Sequence, residues 1–223
     1  GDVSGHGVHA ALVMAAAKKA LKIRGKGVRS PREALIQLNE DLKPELPASI
    51  FVTIWYGILD TRTMQLTHAR AGHNPLLIVN PSHTPALRKY EPKGRIVGMA
   101  PGPVFSKVLQ EETIQLEPGD LVLQYTDGVT EAMDQEKQEY GEDRLEGLVQ
   151  QVADREVRDV LQAILDDVHV FRRGAKPNDD VTMLAFRCVD VPAEGRAALP
   201  RPAGLVESGG EGPATAERRD ESL

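Results

Sequence analysis

Three acidic spots in this 223-residue chain have the residue types and the settings for divalent-cation chemistry. They are Asp2 in GDVSGHG, Asp127 in LVLQYTDGVTEA, and Asp179 with Asp180 in KPNDDVTMLAF. Each is expected in a turn at the edge of a strand. Hard cations such as Mg²⁺ and Mn²⁺ take oxygen ligands and keep several waters, so a site for them needs carboxylates from distant parts of the chain to converge on rigid strand ends. Asp127 and Asp179 each adjoin an apolar strand that can hold them still. For Asp2 that strand is expected upstream of Gly1, with Asp2 itself in a loop. Singly, each spot also reads as ordinary turn chemistry, since Asp-Gly and Asn-Asp are common turn dipeptides.

Other chemistries are weaker. Gly5-His6-Gly7-Val8-His9-Ala10 matches the G-x-G-x-x-A dinucleotide fingerprint, but that motif needs a βαβ unit with an acid closing a second strand. Here a second helix follows, and the next acid, Glu33, lies in that helix's capping box. The lone cysteine, Cys188, excludes an internal disulfide or a cysteine-based zinc site, and its apolar surroundings make it a core residue. His73, in AGHNP, is expected to fix a loop by hydrogen bonding; His9, His68, His83 and His169 read as surface or packing residues. The net charge of −6, with no basic stripe, gives no sign of nucleic-acid binding. The apolar run from Ala10 to Ala17 is too short to cross a bilayer.

The elements that must position these acids follow from composition and periodicity. Val8 to Ile23 is rich in good helix formers. Ser30-Pro31-Arg32-Glu33 is a capping box opening a second helix that runs to about Leu42. Ser49 to Leu59 is β-branched and aromatic, hence a strand, and Asp60 to Thr63 turns into another at Met64 to Ala69. Pro75–Val79 and Ala86–Tyr90 follow as strands. Lys93 to Phe105, rich in Gly and Pro, is expected as a loop. Lys107–Leu116 and Asp120–Tyr125 are expected as strands joined at Glu117-Pro118-Gly119. Arg144–Ala153 and Glu156–Phe171 are expected as helices, and Val181–Cys188 as a last strand. Helices, short-turn strands, helices and a strand in that order point to α+β with mainly antiparallel sheet. Beyond Asp190 the apolar pattern stops, and 191–223 reads as a disordered tail holding none of the chemistry.

Taken in order, GDVSGHGVHAALVMA, SIFVTIWYGILD, ARAGHNPLLIV, LEPGDLVLQYTDGVTEA, QEYGEDRL and NDDVTMLAFR resemble the bacterial SpoIIE-type branch of the PPM (protein phosphatase 2C-like) serine/threonine phosphatases, over about Gly1 to Arg187. The resemblance implies a four-layer α-β-β-α sandwich of two antiparallel sheets over 1–190, with two Mn²⁺ or Mg²⁺ ions at one end. It implies that Asp2 bridges both ions, that the Val3 carbonyl is a further ligand, and that Asp127 and Asp179 each bind metal. Asp180, Ser4, His6 and Gly128 are then neighbours of the ligands. It places one further acid on a strand upstream of Gly1, so that a chain starting at Gly1 is expected to be incomplete. It implies hydrolysis by water activated on metal, without a Ser or Cys nucleophile. The implied substrate is a phosphoserine protein of the STAS-type anti-sigma-factor antagonist class. An upstream sensor domain and a cytoplasmic catalytic domain are implied as well, the whole protein being open to membrane anchoring through upstream segments. The alternative to the enzyme is a non-catalytic PPM-like binding module.

Overall fold

Alternation along the strands decides what each face of each sheet meets. The computed structural model describes residues 1–5, 7–47 and 49–189. His6 and the expected tail at 191–223 lie outside the described residues.

The elements run β1 (Asp2–Val3), α1 (Gly7–Arg24), α2 (Pro31–Leu42), β2 (Val52–Asp60), β3 (Gln65–Ala71), β4 (Leu76–Val79), β5 (Leu87–Tyr90), α3 (Gly102–Val108), β6 (Glu111–Gln115), β7 (Leu121–Tyr125), α4 (Asp127–Thr130), α5 (Glu142–Val152), α6 (Val157–Arg172) and β8 (Met183–Arg187). They make two four-stranded sheets, β1-β2-β3-β6 and β5-β4-β7-β8, and every strand pair in both is antiparallel.

Four layers follow from the packing. On one side α1 and α2 place Val13, Ala17, Leu35, Leu38 and Leu42 against Val3, Val52, Ile54, Ala69 and Ala71 of the first sheet. On the other, α5 and α6 place Leu145, Val149, Val160, Ile164 and Val168 against Leu77, Val79, Leu121, Leu123 and Tyr125 of the second. Leu66 and Ile114 of the first sheet meet Leu76, Ile78 and Val122 of the second, with Cys188, Trp55 and Phe186, to fill the space between. The α-β-β-α arrangement expected from the sequence is therefore the one observed. Cys188 is a buried free thiol in that middle layer, and burial raises its pKa.

Local signals explain the boundaries. Ser30 Oγ accepts the Glu33 N–H at 3.1 Å and caps α2, with Pro31 as its first residue. Asp60 Oδ1 accepts the Arg62 and Thr63 N–H groups and closes the β2–β3 turn. The β6–β7 turn is closed by Asp120 N–H to Glu117 O, 3.0 Å, with Gly119 at φ 90°.

Four expectations need correction. The Gly/Pro stretch expected as a loop to Phe105 contains the start of α3, and the strand expected from Lys107 begins only at Glu111. Proline suits the first turn of a helix, where no N–H partner is needed, so Pro101 and Pro103 open α3 rather than forbid it. Phe105, fully buried, anchors that helix. The turn at Asp127 is a single helical turn, α4. Asp2 does not sit in a loop: with Val3 it pairs to β2, Asp2 opposite Thr53 and Val3 opposite Val52.

Among the described residues no helix is long and apolar enough to cross a membrane.

Candidate metal centre

The second sheet supplies two of the acids from adjacent strands. β7 ends at Tyr125 and β8 begins at Met183, and their antiparallel pairing brings the segments around Asp127 and Asp179 to the same end. Thr126 fastens them. Its N–H donates to Thr182 O (3.0 Å), its hydroxyl donates to Asp180 O (3.3 Å), and the same hydroxyl accepts the Thr182 N–H (3.0 Å). Gly128 permits the crossing: a Cβ there would lie 2.2 Å from the Asp180 carbonyl oxygen. No side chain fits that approach, which gives the Gly of Thr-Asp-Gly a packing reason. Asp180 itself donates its N–H to Asp179 Oδ1 at 2.7 Å and so orients that carboxylate.

The first sheet supplies Asp2. Ser4 zips β1 onto β2: its N–H donates to Phe51 O and its Oγ accepts the Phe51 N–H, both at 3.0 Å. Bonded and unbonded pairs alternate in an antiparallel ladder. Val3 and Val52 are therefore the unbonded pair, and Val52 bonds instead to Val97 through both its N–H and its carbonyl. The Val3 carbonyl thus turns away from β2. Cross-strand partners share a face, so Asp2 lies on the face of Thr53, and Trp55, two residues on, packs in the middle layer. Asp2 approaches the other two acids from the inter-sheet side of its own sheet.

One carboxylate oxygen from each of Asp2, Asp127 and Asp179 can be chosen so that all lie within 4.8 Å of one another. Asp2 and Asp127 are half-buried and Asp179 is exposed. Burial first, then Asp127 and Asp179, push the Asp2 carboxyl above the ordinary aspartate range. Asp127 Oδ1 is buried with no hydrogen-bond partner among the described residues. Among the same residues no Lys, Arg or His forms an ion pair with any of the three. A trio of converging carboxylates with an orphaned oxygen and no cationic partner fits a bound divalent cation and an all-oxygen donor set.

Sequence reasoning missed the parts that Glu131, Asn178 and Thr126 play around this trio, while His73 holds its loop by hydrogen bonding as expected. Glu131, at the C-cap of α4, has its carboxyl pushed up by burial, then by Asp127, Glu139 and Asp179, which puts it in the same negative field. The Asn178 amide donates to the Glu131 carbonyl and the Thr126 hydroxyl to the Asp180 carbonyl; a Thr before Asp-Gly and an Asn before Asp-Asp are the only traces they leave in the sequence. His73, buried, bonds through Nδ1 to Thr53 Oγ1 (2.9 Å), opposite Asp2, and Arg70 Nη1 donates to its carbonyl (2.6 Å). Burial pulls its pKa down to about 3, so it is a neutral loop fastener. Of the surface and packing readings, packing holds for His68: it is buried, accepts the Trp55 Nε1–H at 3.0 Å, and has a pKa pulled down to about 4 by burial.

The family model for Stage II sporulation protein E (SpoIIE) matches residues 1–189. Among curated relatives, Protein IcfG of Synechocystis is 30% identical over 138 residues, covering 61% of this chain and 20% of that protein. Phosphoserine phosphatase RsbU of Bacillus subtilis is 31% identical over 130 residues, covering 58% of this chain and 37% of that one. The chain thus spans about a fifth to just over a third of these relatives. Among solved structures, the SiaA-PP2C domain of Pseudomonas aeruginosa superposes with a TM-score of 0.71 at 21% identity, covering 83% of this chain and 71% of that one. RsbX in complex with magnesium superposes with a TM-score of 0.57 at 14% identity, covering 82% and 75%. Both share the fold.

Proposed function

The chain belongs to the SpoIIE family, and from that membership we propose that it is a metal-dependent protein serine/threonine phosphatase acting on phosphoserine in a regulatory protein. The observation that carries this reading is the convergence of Asp2, Asp127 and Asp179 within 4.8 Å without a cationic partner among the described residues.

In this reading Asp2, Asp127, Asp179 and the Val3 carbonyl hold Mn²⁺ or Mg²⁺, two ions being expected. When bound, such ions acidify a water from a pKa near 16 to about 7 and offset the charge of the phosphoryl oxygens. The chain's own part is positioning. Asp127 and Asp179 are locked to each other through Thr126 and Gly128. Asp2 is held opposite Thr53 by the Ser4–Phe51 pair of bonds. Carboxylates fixed in this way need little rearrangement on meeting a cation. No side-chain nucleophile enters; the one thiol is buried in the middle layer.

The phosphoserine preference is carried over from the name of RsbU, and the small anti-sigma-factor antagonist as substrate from the family resemblance. So are a cytoplasmic catalytic domain over residues 1–190 and an upstream sensor that controls it.

The test is hydrolysis of p-nitrophenyl phosphate and of a phosphoserine protein with Mn²⁺. Activity is expected to vanish on adding a chelator and to return with Mn²⁺. Cys188→Ser should keep that chelator-sensitive activity. Turnover that survives the chelator, or that needs Cys188 in a folded protein, contradicts the reading.

A further inference from the structure

We propose that Asn178 is a positioning residue for Asp179: its side-chain amide fastens the acid-bearing loop to the far end of the turn that begins with Asp127. The inference rests on the metal-site reading above and deepens it.

Asn178 Nδ2 donates to the carbonyl of Glu131 at 2.8 Å. Glu131 is the C-cap of α4, and its own N–H closes that turn on the Asp127 carbonyl at 2.7 Å. The carbonyl that Asn178 grips therefore belongs to the residue tied back to Asp127. At the other end of the same turn, Thr126 holds Asp180 and Thr182. The loop carrying Asp179 is thus fastened to α4 on both sides, and Asp179 lies between the two fastening points, next to each. Among the described residues, only Asn178 restrains it from the N-terminal side at close range. Before it run Gly174, Ala175, Lys176 and Pro177, reaching back to Arg173, where α6 ends in the left-handed conformation at φ 49°.

The residue type suits the task. An amide donates at any pH at which the protein is folded, and unlike a carboxylate or an ammonium it adds no charge beside a cation site. Asn178 is exposed, so a change there removes the fastening without opening the core.

A second strap joins the same two segments and serves as the control. Gln135 Nε2 donates to the Arg173 carbonyl at 2.6 Å. It fixes where the loop leaves α6, six residues before Asp179, and has no hold on the acid itself. A merely structural role for Asn178 predicts that cutting either strap acts alike. A positioning role predicts that only Asn178 moves metal affinity.

The experiment titrates this chain with Mn²⁺ alone and follows the free ion by electron paramagnetic resonance, with thermal melts alongside. Asn178→Ala is expected to weaken Mn²⁺ binding about five- to tenfold, the scale of one hydrogen bond holding a ligand in place. Gln135→Ala should bind within twofold of wild type. Asn178→Gln, which keeps the donor on a longer arm, should recover most of the loss. The proposal is overturned if Asn178→Ala binds like wild type, or if Gln135→Ala loses as much as Asn178→Ala. A wild-type chain that binds no Mn²⁺ overturns the metal-site reading itself, a result distinct from normal binding left untouched by the variants.

Discussion

The two helix-on-sheet halves of this molecule hold their acids in different ways. In the second, α5 and α6 bury one apolar face each and turn charged residues outward, and the two acids of that half are wired together through Thr126 and Gly128. In the first, α1 buries only Val13 and Ala17 fully, while Val8 and Leu12 are 78% and 65% exposed. Its acid, Asp2, is carried by β1, opposite Thr53 of β2. One half delivers a pair of carboxylates tied to each other, and the other brings the third through the pairing of β1 with β2. The difference teaches that the trio is assembled from two separate supports: Asp127 and Asp179 are fastened to each other, and Asp2 is fastened to β2.

The sharpest way to break this comparison is to damage the wired pair. Gly128→Ala would put a methyl carbon 2.2 Å from the Asp180 carbonyl oxygen and force the Asp179 loop outward. A misplacement of about 1 Å at a catalytic site costs about 100-fold in rate, so Mn²⁺-dependent hydrolysis should fall by at least that much. The overpacking should also lower stability by about 1–3 kcal/mol, read in a urea melt.

A second contrast lies in the buried titratable groups. In the second half, Asp120 is enclosed but paired, accepting from Arg88 at 2.6 Å and Asn80 at 3.0 Å. The first half buries two neutral histidines, His68 and His73, with pKa values of about 4 and about 3. The unfolded chain takes up protons on both near pH 6.5, whereas the folded chain does so only well below. Stability is therefore full above about pH 6.5 and lost as pH falls toward 4, by about 3 kcal/mol for His68 alone. Urea melts across that range check the slope, and His68→Gln should flatten it. A slope unchanged by that substitution would remove His68 from the account.

The smallest effect is expected on the exposed side of α1. Leu12→Gln should change stability by no more than about 0.5 kcal/mol, because the side chain has little burial to lose. A loss of about 2 kcal/mol or more, well outside the surface range, would show that Leu12 packs in solution, and would bring the two halves closer in kind.

Much of this is legible in the sequence because it is local. The unbroken apolar runs Leu121-Val122-Leu123 and Leu76-Leu77-Ile78 mark strands wet on neither face, and the cap at Ser30 and the turn at Asp60 announce themselves. Asp127 and Asp179 stand out because each adjoins an apolar strand. What escapes is tertiary. Whether Pro101 and Pro103 open a helix depends on the pocket that takes Phe105, and no local pattern states that pocket. The β1 pairing depends on Phe51, 47 residues from its partner Ser4. The fastening of Asn178 to Glu131 likewise spans 47 residues, and nothing in either short segment points to the other.

The central claim is that Asp2, Asp127 and Asp179 act as one cation site although they come from two differently built halves. Its most direct test is Mn²⁺ binding by the wild type and by Asp2→Asn, Asp127→Asn and Asp179→Asn, each verified as folded. Asn keeps the size and one oxygen but removes the charge that holds the ion. The account predicts that each substitution alone weakens binding by at least about tenfold. A folded variant of any one of the three that binds Mn²⁺ as tightly as the wild type would contradict it.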